Sequence, residues 1–211
     1  MSSHVEQPPM DPKQVNRNRM KLLGVFGVAL IPVIAAAVMY FGGIALPTGK
    51  TNKGNLLWPP IVLSEQNAIS PTVNDAIVQD GLWVLMLTGQ GDCTDTCLER
   101  LHTLRQVNIA MGKELDRVGR VYVGEMSAET KTNLTSTYPN LKVFESSASN
   151  LITFKNQAIN ASGVTPQSIE SSWNIWLVDP LGNVILQYGL DNDGYDMKGD
   201  LKKLLKLSNI G

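Results

Sequence analysis

Two cysteines separated by three residues are the side chains in this sequence best suited to chemistry. Cys93 and Cys97 lie in the segment GDCTDTCLER, residues 91 to 100, and they are the only cysteines in the 211-residue chain. The pair could form a structural disulfide, hold a soft ion such as Cu(I), or exchange electrons with a partner's thiols. A crosslink closing so short a loop gains only about 2 kcal/mol on the chain-entropy model, so structural stabilisation is the least attractive reason for it.

These cysteines stand between an expected strand and an expected helix. The apolar run LWVLMLT, residues 82 to 88, is typical of a central strand that is covered on both faces. After the cysteines, apolar residues recur every three or four positions from Leu98 to Leu115, as on one face of a helix. Two cysteines four residues apart in the first turn of that helix would have Cα atoms about 6 Å apart, within disulfide reach.

The residues around the cysteines predict a helix N-terminus with opposing electrostatic effects. Thr96 and Glu99 fit a capping box, and Asp92 is an alternative N-cap, so we expect both sulfurs at or just inside the helix start. Free amide groups and the helix dipole there stabilise a thiolate, whereas Asp92 and Asp95 oppose it. These two effects shift the pKa of the thiols in opposite directions, and the sequence does not decide between them.

A metal site at the cysteines would need a further ligand. His102 follows Cys97 by five residues, which turns its side chain well away from both sulfurs on a helix. His4 lies on the other side of an expected membrane helix, and no Met or carboxylate is singled out by its position. Cys93 and Cys97 are therefore candidate catalytic residues and candidate metal ligands, with the third ligand unknown.

The segments after the cysteines alternate between strand and helix patterns. We expect a strand in RVYVGE (120–125), a helix capped by Ser127, a hairpin formed by WNIWLVDP and VILQYG, and an amphipathic helix in DMKGDLKKLLKL. LKVF could be extended and SNLITFKNQAI helical, but the path from Pro139 to Ser172 stays open. This order predicts an α/β fold, a thioredoxin-like sandwich in which parallel strands are joined by right-handed crossovers and the hairpin forms an antiparallel edge.

The N-terminal part of the chain predicts a membrane anchor. Residues 22 to 46, LLGVFGVALIPVIAAAVMYFGGIAL, carry no charge, and a helix of that length exceeds the thickness of about 30 Å of the hydrocarbon core. The prediction is a cytoplasmic tail (1–21), a single transmembrane helix (22–46), a tether (47–60) and a periplasmic domain (61–211). Basic residues concentrate before the helix, which places the N-terminus in the cytoplasm. Acidic residues in the tail favour a bacterial inner membrane over a mitochondrial one.

The overall charge argues against nucleic acid as a partner. The chain has 18 basic and 19 acidic residues, and no cluster of Lys and Arg is interleaved with aromatic residues. The electrostatic pattern of a nucleic-acid-binding protein is therefore missing from the sequence.

Several of these segments together resemble the Sco/SenC family, which are membrane-anchored, thioredoxin-like assembly factors of cytochrome c oxidase. The resemblance rests on the N-terminal anchor, on LWVLMLTGQGDCTDTC followed by LERLHTL, and on WLVDPLGNVILQYG before a terminal helix. It implies a cytochrome c oxidase subunit or another assembly factor as partner. It also implies copper binding through the two motif cysteines and a distal histidine. That histidine corresponds to about Ser171 here, so the chain resembles a divergent member.

The missing histidine makes thiol–disulfide exchange the leading hypothesis. The protein would act as a thiol–disulfide oxidoreductase on a partner's cysteines during oxidase assembly, and Cys93, on the loop side, is expected to be the attacking thiolate. A copper chaperone that uses the same sulfurs is the alternative. A scaffold that docks onto the oxidase without a redox cycle is the third hypothesis.

Overall fold

A computed structural model describes residues 12–42, 51–66, 69, 71–161, 169 and 173–208 of the protein. The chain divides into an N-terminal unit, Met1–Lys50, and a C-terminal unit, Thr51–Gly211. Each unit is described by itself below. The predicted third copper-ligand position, Ser171, lies outside the described residues.

The N-terminal unit contains one long helix, α1, which spans Pro12–Phe41. Lys13–Phe41 is long and apolar enough to cross a membrane, since its most apolar stretch of 18 residues has a mean hydropathy of 2.6. The helix begins ten residues before the uncharged run, because a proline is well suited to a first helical position and no glycine or proline lies between it and that run. It ends at Phe41, directly before two glycines, rather than at residue 46.

The C-terminal unit contains six strands and six α-helices among its described residues. In chain order they are β1 (Asn55–Val62), α2 (Leu63–Gln66), α3 (Pro71–Asp80), β2 (Trp83–Gly89), α4 (Asp95–Ala110), a 3-10 helix (Gly112–Arg117), β3 (Val118–Gly124), α5 (Ala128–Thr137), β4 (Leu141–Glu145), α6 (Ala148–Asn160), β5 (Asn174–Val178), β6 (Asn183–Tyr188) and α7 (Gly194–Leu207). The predicted strands, hairpin and terminal helix are confirmed. So are the two open assignments, the extended LKVF and the helical SNLITFKNQAI.

The strands form one mixed sheet in the order β1-β6-β5-β2-β3-β4. The strands β2, β3 and β4 are parallel neighbours, whereas β5 and β6 form an antiparallel hairpin that pairs with β2 through β5. The sequence predicted that the hairpin forms an edge of the sheet. This prediction is wrong, because β1 pairs antiparallel with β6 on its outer side.

Strand β2 is buried along its whole length and separates two apolar layers. Its side chains alternate, so that Leu85 and Leu87 face α4 and α7, while Val84 and Met86 face α3 and α6. This explains why the segment is a continuous apolar run in the sequence, since both of its faces are covered.

Residues 55–60 belong to the sheet, so the prediction that the tether extends to residue 60 is wrong. Leu57 and Ile61 are buried in the layer that faces α3 and α6. Two prolines, Pro59 and Pro60, concealed the strand in the sequence, although proline is compatible with an edge strand. The predicted tail, residues 1–21, is also not separate from the helix, since its described residues from Pro12 onwards belong to α1.

A row of buried amides fixes the register at the β1 side of the sheet. The Nδ2 of Asn55 donates to Oε1 of Gln187 at 2.8 Å, and the Nε2 of Gln187 donates to Oδ1 of Asn174 at 2.9 Å. Gln187 and Asn174 are completely buried. Because a buried amide is costly without partners, this row specifies one alignment of β1, β6 and β5.

A buried carboxylate attaches the start of the C-terminal unit to its last helix. Oδ2 of Asp200, in α7, accepts hydrogen bonds from the backbone N–H of Lys53 at 2.8 Å and of Gly54 at 3.0 Å, and from the hydroxyl of Tyr188 at 3.2 Å. Burial, with a further contribution from Asp200, raises the pKa of Tyr188, so its hydroxyl remains a donor. The ammonium of Lys203 is 3.8 Å from the other oxygen, too far for a hydrogen bond.

We expect Asp200→Ala to lower the free energy of unfolding by roughly 2–4 kcal/mol, because it leaves two backbone N–H groups and a buried hydroxyl without their acceptor. Urea denaturation of the full chain in detergent, followed by tryptophan emission, measures this loss. The matched control is Asp116→Ala, since Asp116 is exposed, and its midpoint should stay close to the wild-type value. Equal midpoints for the two variants would contradict the assigned role of Asp200.

Candidate functional site

Cys93 and Cys97 form a disulfide between the end of β2 and the start of α4. Their Cα atoms are 5.1 Å apart, in agreement with the short separation that the sequence spacing permits. β2 ends at Gly89, and the intervening loop carries Cys93 to the N-terminus of α4. The predicted proximity of the two sulfurs is therefore present in the structure.

The helix begins at a different residue from either predicted N-cap. Thr94 is the N-cap of α4, with extended backbone angles, and its side chain accepts no hydrogen bond from the first turn. Cys97 occupies the third helical position, whereas Cys93 precedes the cap and lies outside the helix. The first-turn N–H groups have no acceptors within the helix, and the side chain of Thr94 does not accept from them either.

The two cysteines differ in exposure. Cys97 is completely buried in the core layer with Leu101 and Leu104, whereas Cys93 is partly exposed and packs against the outside of that layer. An attacking group from a partner molecule can therefore approach the sulfur of Cys93 more readily than the sulfur of Cys97.

Asp92 binds the N-terminus of α5 instead of capping α4. Its Oδ1 accepts hydrogen bonds from the backbone N–H of Ser127 at 3.2 Å and from the hydroxyl of Thr130 at 3.1 Å. The bond from the Ser127 backbone is the main cause that lowers the pKa of Asp92, and the Thr130 hydroxyl adds to it. Asp92 is therefore ionised at neutral pH, and it joins the cysteine loop to α5. Ser127 also caps its own helix, as predicted, by accepting from the N–H of Thr130.

An aromatic pair lies under the end of β2. A Cβ atom on Gly89 would be 1.8 Å from the ring of Trp173, so only glycine fits at this position. The rings of Trp173 and Tyr122 are stacked with centroids 6.4 Å apart. Burial raises the pKa of Tyr122, and the negative charge of Asp92 raises it further, so the phenol stays protonated. The charge on Asp92 thus acts on the phenol of Tyr122, in the aromatic pair beneath the site.

Arg100 holds the first turns of α4 against the loop that follows β6. It is 7% exposed and donates to the carbonyl oxygens of Tyr188, Gly189 and Asn192 at 3.1, 2.8 and 3.2 Å. Burial lowers its pKa to about 10, while the charge of Asp191 opposes that change, so the guanidinium is still charged at neutral pH. Because Arg100 follows Cys97 by three residues, this clamp positions the helix turn that carries the buried sulfur.

His102 is not brought to the cysteines. It is exposed on α4, and its Nε2 lies 3.4 Å from the side-chain nitrogen of Gln106, in agreement with the prediction that it turns away. Within the described ranges, no group of three or more His, Cys, Asp or Glu side chains is arranged to hold a metal ion. Met126 is partly buried and packs, like Cys93, against the core layer that contains Cys97.

Sequence reasoning did not identify Tyr122, Trp173 or Arg100 as parts of this site. Glycine at the ends of two neighbouring strands, Gly89 and Gly124, is a signal that could have indicated it, since glycine in a strand often marks a close approach. Arg100 carries no comparable signal, because most arginines on a helix face solvent.

Comparison with solved structures gives distant similarities. BsSco, a member of the Sco family of cytochrome c oxidase assembly proteins, is 17% identical over 74% of this chain and 98% of that chain, with a TM-score of 0.48. Copper-bound ScoI of Arabidopsis thaliana is 15% identical over 61% and 86% of the two chains, with a TM-score of 0.46. A thiol:disulfide interchange protein from Bacteroides sp. is 16% identical over 74% and 93% of the two chains, with a TM-score of 0.43. Sco proteins are therefore among the solved structures to which the chain is distantly similar.

Two family models match the chain itself. Residues 83–208 match the model for the thioredoxin-like C-terminal domain of transmembrane-like proteins, and residues 12–43 match the model for their N-terminal domain. No curated protein sequence matches the chain. The first match covers more than half of the 211 residues and confirms the thioredoxin-like α/β fold. The chain therefore belongs to the family of transmembrane-like proteins with a thioredoxin-like C-terminal domain.

Proposed function

We propose that this protein is a membrane-anchored thiol–disulfide exchange protein in which Cys93 and Cys97 cycle between dithiol and disulfide. The observation that supports this function best is the asymmetry of the disulfide, which joins a partly exposed sulfur to a buried one at a helix start. A crosslink over so short a loop adds little stability, so its value is chemical rather than structural.

The reaction follows from the exposure of the two sulfurs. In the reduced protein, the thiolate of Cys93 attacks one sulfur of a partner's disulfide, and the other partner sulfur leaves as a thiolate. The thiolate of Cys97 then attacks the sulfur of Cys93 and releases the second partner sulfur. The partner gains two electrons and takes up two protons, while Cys93 and Cys97 become a disulfide. A dithiol donor must reduce that disulfide before the next cycle.

The helix start supplies stabilisation for the thiolates in this reaction. The amide groups of the first turn of α4 and the positive end of its dipole stabilise negative charge on sulfur. Asp95 in the first turn and Asp92 beside Cys93 act against that stabilisation. Because the carboxylate of Asp92 accepts two hydrogen bonds from the start of α5, part of its charge is balanced there.

The cellular location of the reaction and the partner protein are proposed from the sequence. The excess of basic residues in the first turns of α1, ahead of its uncharged run, supports a cytoplasmic N-terminus and a periplasmic C-terminal unit in a bacterial inner membrane. The resemblance of the motif segments to Sco/SenC proteins supports a cytochrome c oxidase subunit, or another assembly factor, as the partner.

Copper binding is the second candidate function. The two sulfurs are joined in the structure, so after reduction they are close enough to bind one ion together. Soft thiolate and thioether ligands select Cu(I). The thioether of Met126, on the same core layer as Cys93, is a ligand type that could complete such a site.

Two measurements on the reduced full chain in detergent separate these functions. For an exchange protein, we expect a disulfide reduction potential above about −300 mV and no tight, stoichiometric binding of Cu(I). Tight binding of one Cu(I) would favour the copper chaperone. A potential below about −300 mV without copper binding would show a structural disulfide and exclude the redox cycle.

Single cysteine variants test the assigned roles of the two sulfurs. Cys93→Ser should abolish disulfide exchange with a dithiol-dependent reporter, whereas Cys97→Ser should accumulate a mixed disulfide, because no second thiol resolves it. Non-reducing electrophoresis and mass spectrometry detect the trapped species. Cys93→Ser should lower the free energy of unfolding by no more than the roughly 2 kcal/mol that the short crosslink can contribute. Trapping by Cys93→Ser instead of Cys97→Ser would reverse the roles.

Removing the charge of Asp92 should make Cys93 more reactive. We expect Asp92→Asn to increase the alkylation rate of reduced Cys93 at neutral pH by roughly two- to fourfold, since a carboxylate next to the sulfur no longer opposes the thiolate. Iodoacetamide labelling followed by peptide mass spectrometry measures that rate. Asp116→Asn, at an exposed position in the 3-10 helix, is the matched control and should leave the rate unchanged. A slower rate in Asp92→Asn would show that its contact with α5 matters more than its charge.

A further inference from the structure

An apolar groove lies between β1, β6 and the C-terminal half of α7, away from the disulfide. Its volume is about 590 Å³, and its aliphatic walls come from Leu56, Ile185, Leu204 and Leu207. Thr51, the first residue of the C-terminal unit, also lines it. The groove is thus located where the C-terminal unit begins.

Large apolar side chains are exposed on β1 and α7, the elements that border this groove. Leu56 is 42% exposed, Trp58 is 69% exposed and Leu207 is 82% exposed. Leu56 and Trp58 are exposed on either side of the buried Leu57, so they lie on the same face of β1. We call Leu56, Trp58, Leu207 and two neighbouring lysines, Lys203 and Lys206, the β1–α7 surface.

The charged groups of this surface are basic. Lys203 and Lys206 are exposed on α7, and Lys203 also donates to the backbone carbonyl of Thr51. The carboxylate of Asp200 lines the groove too, but it is 2% exposed and its Oδ2 accepts three hydrogen bonds. An exposed tryptophan, exposed leucines and lysines together are the composition of a surface that contacts lipid headgroups.

The position of this surface along the chain identifies its occupant. α1, which is long and apolar enough to cross a membrane, ends at Phe41, and residues 42–50 separate it from Thr51. Fully extended, that connection reaches at most about 35 Å. We propose that the β1–α7 surface rests on anionic lipid headgroups of the membrane that α1 crosses, with Trp58 and Leu207 entering the interface. This contact does not depend on the reaction of the cysteines.

The test uses the full chain in vesicles of phosphatidylcholine with about 30% phosphatidylglycerol and brominated acyl chains, which quench tryptophan emission at the membrane. Trp83, Trp173 and Trp176 are buried, so the difference between wild type and Trp58→Phe isolates the emission of Trp58. We expect Trp58 to be quenched in these vesicles, and less so in vesicles of phosphatidylcholine alone.

Two matched double variants decide the role of the surface. Lys206→Glu with Leu207→Glu should reduce the ratio of docked to undocked C-terminal unit, as reported by Trp58 quenching, at least about fivefold, since each basic residue near an anionic surface contributes about that factor. Lys113→Glu with Leu181→Glu makes the same change in charge at two other exposed positions and should keep the wild-type quenching.

Other results would overturn the proposal. Absence of Trp58 quenching in the wild type, or equal quenching in the two double variants, would show that this surface does not contact lipid. If Trp58 is shielded and the wild type is a dimer that Lys206→Glu with Leu207→Glu dissociates, the surface joins two copies of the chain instead.

Discussion

The contact between Trp173 and Gly89 is the constraint on which the cysteine site depends. The indole lies so close to the strand backbone that a methyl group on residue 89 would overlap it. This contact closes the core layer at the end of β2 and leaves the chain free to turn outward immediately afterwards. The loop with Cys93 therefore begins on a rigid base, with the stacked ring of Tyr122 beside it. The site therefore combines a fixed aromatic base with the partly exposed sulfur of Cys93. This arrangement suits a thiol that reacts with a partner and then returns to the same position.

Around this floor, two polar contacts attach the cysteine segment to neighbouring elements. Asp92 connects the loop to α5, Arg100 connects α4 to the loop after β6, and Cys97 is buried between them. The charged groups of Asp92 and Arg100 both bind backbone groups, and Asp92 also accepts from the Thr130 hydroxyl, so the geometry of these contacts is set largely by secondary structure. Structural changes that accompany oxidation or reduction of the two cysteines are therefore confined to the few residues between the end of β2 and the first turn of α4.

The sequence predicted the order of strands and helices along the chain from β2 onwards, the helix after the cysteines and the proximity of the two sulfurs, because these follow from local periodicity and spacing. It did not predict β1, whose prolines resemble a linker and whose burial depends on pairing with β6, far away in the chain. The N-cap was also wrong. Asp92 has the right residue type for a cap, but its carboxylate finds donors on α5, and Thr94 is left to begin the helix without a side-chain bond. Contacts of this kind depend on tertiary structure, which no local pattern contains.

The prolines of β1 have a consequence for molecules that share a membrane. β1 is an edge of the sheet, and Pro59 and Pro60 interrupt its pairing with β6 between Leu56 and Ile61. Consecutive residues of a strand direct their N–H groups to opposite sides, so two adjacent prolines remove a donor from the outer side as well as from the inner one. Anchored chains diffuse in two dimensions and meet one another often. An edge with a gap in its donors discourages two such neighbours from joining their sheets into a continuous aggregate.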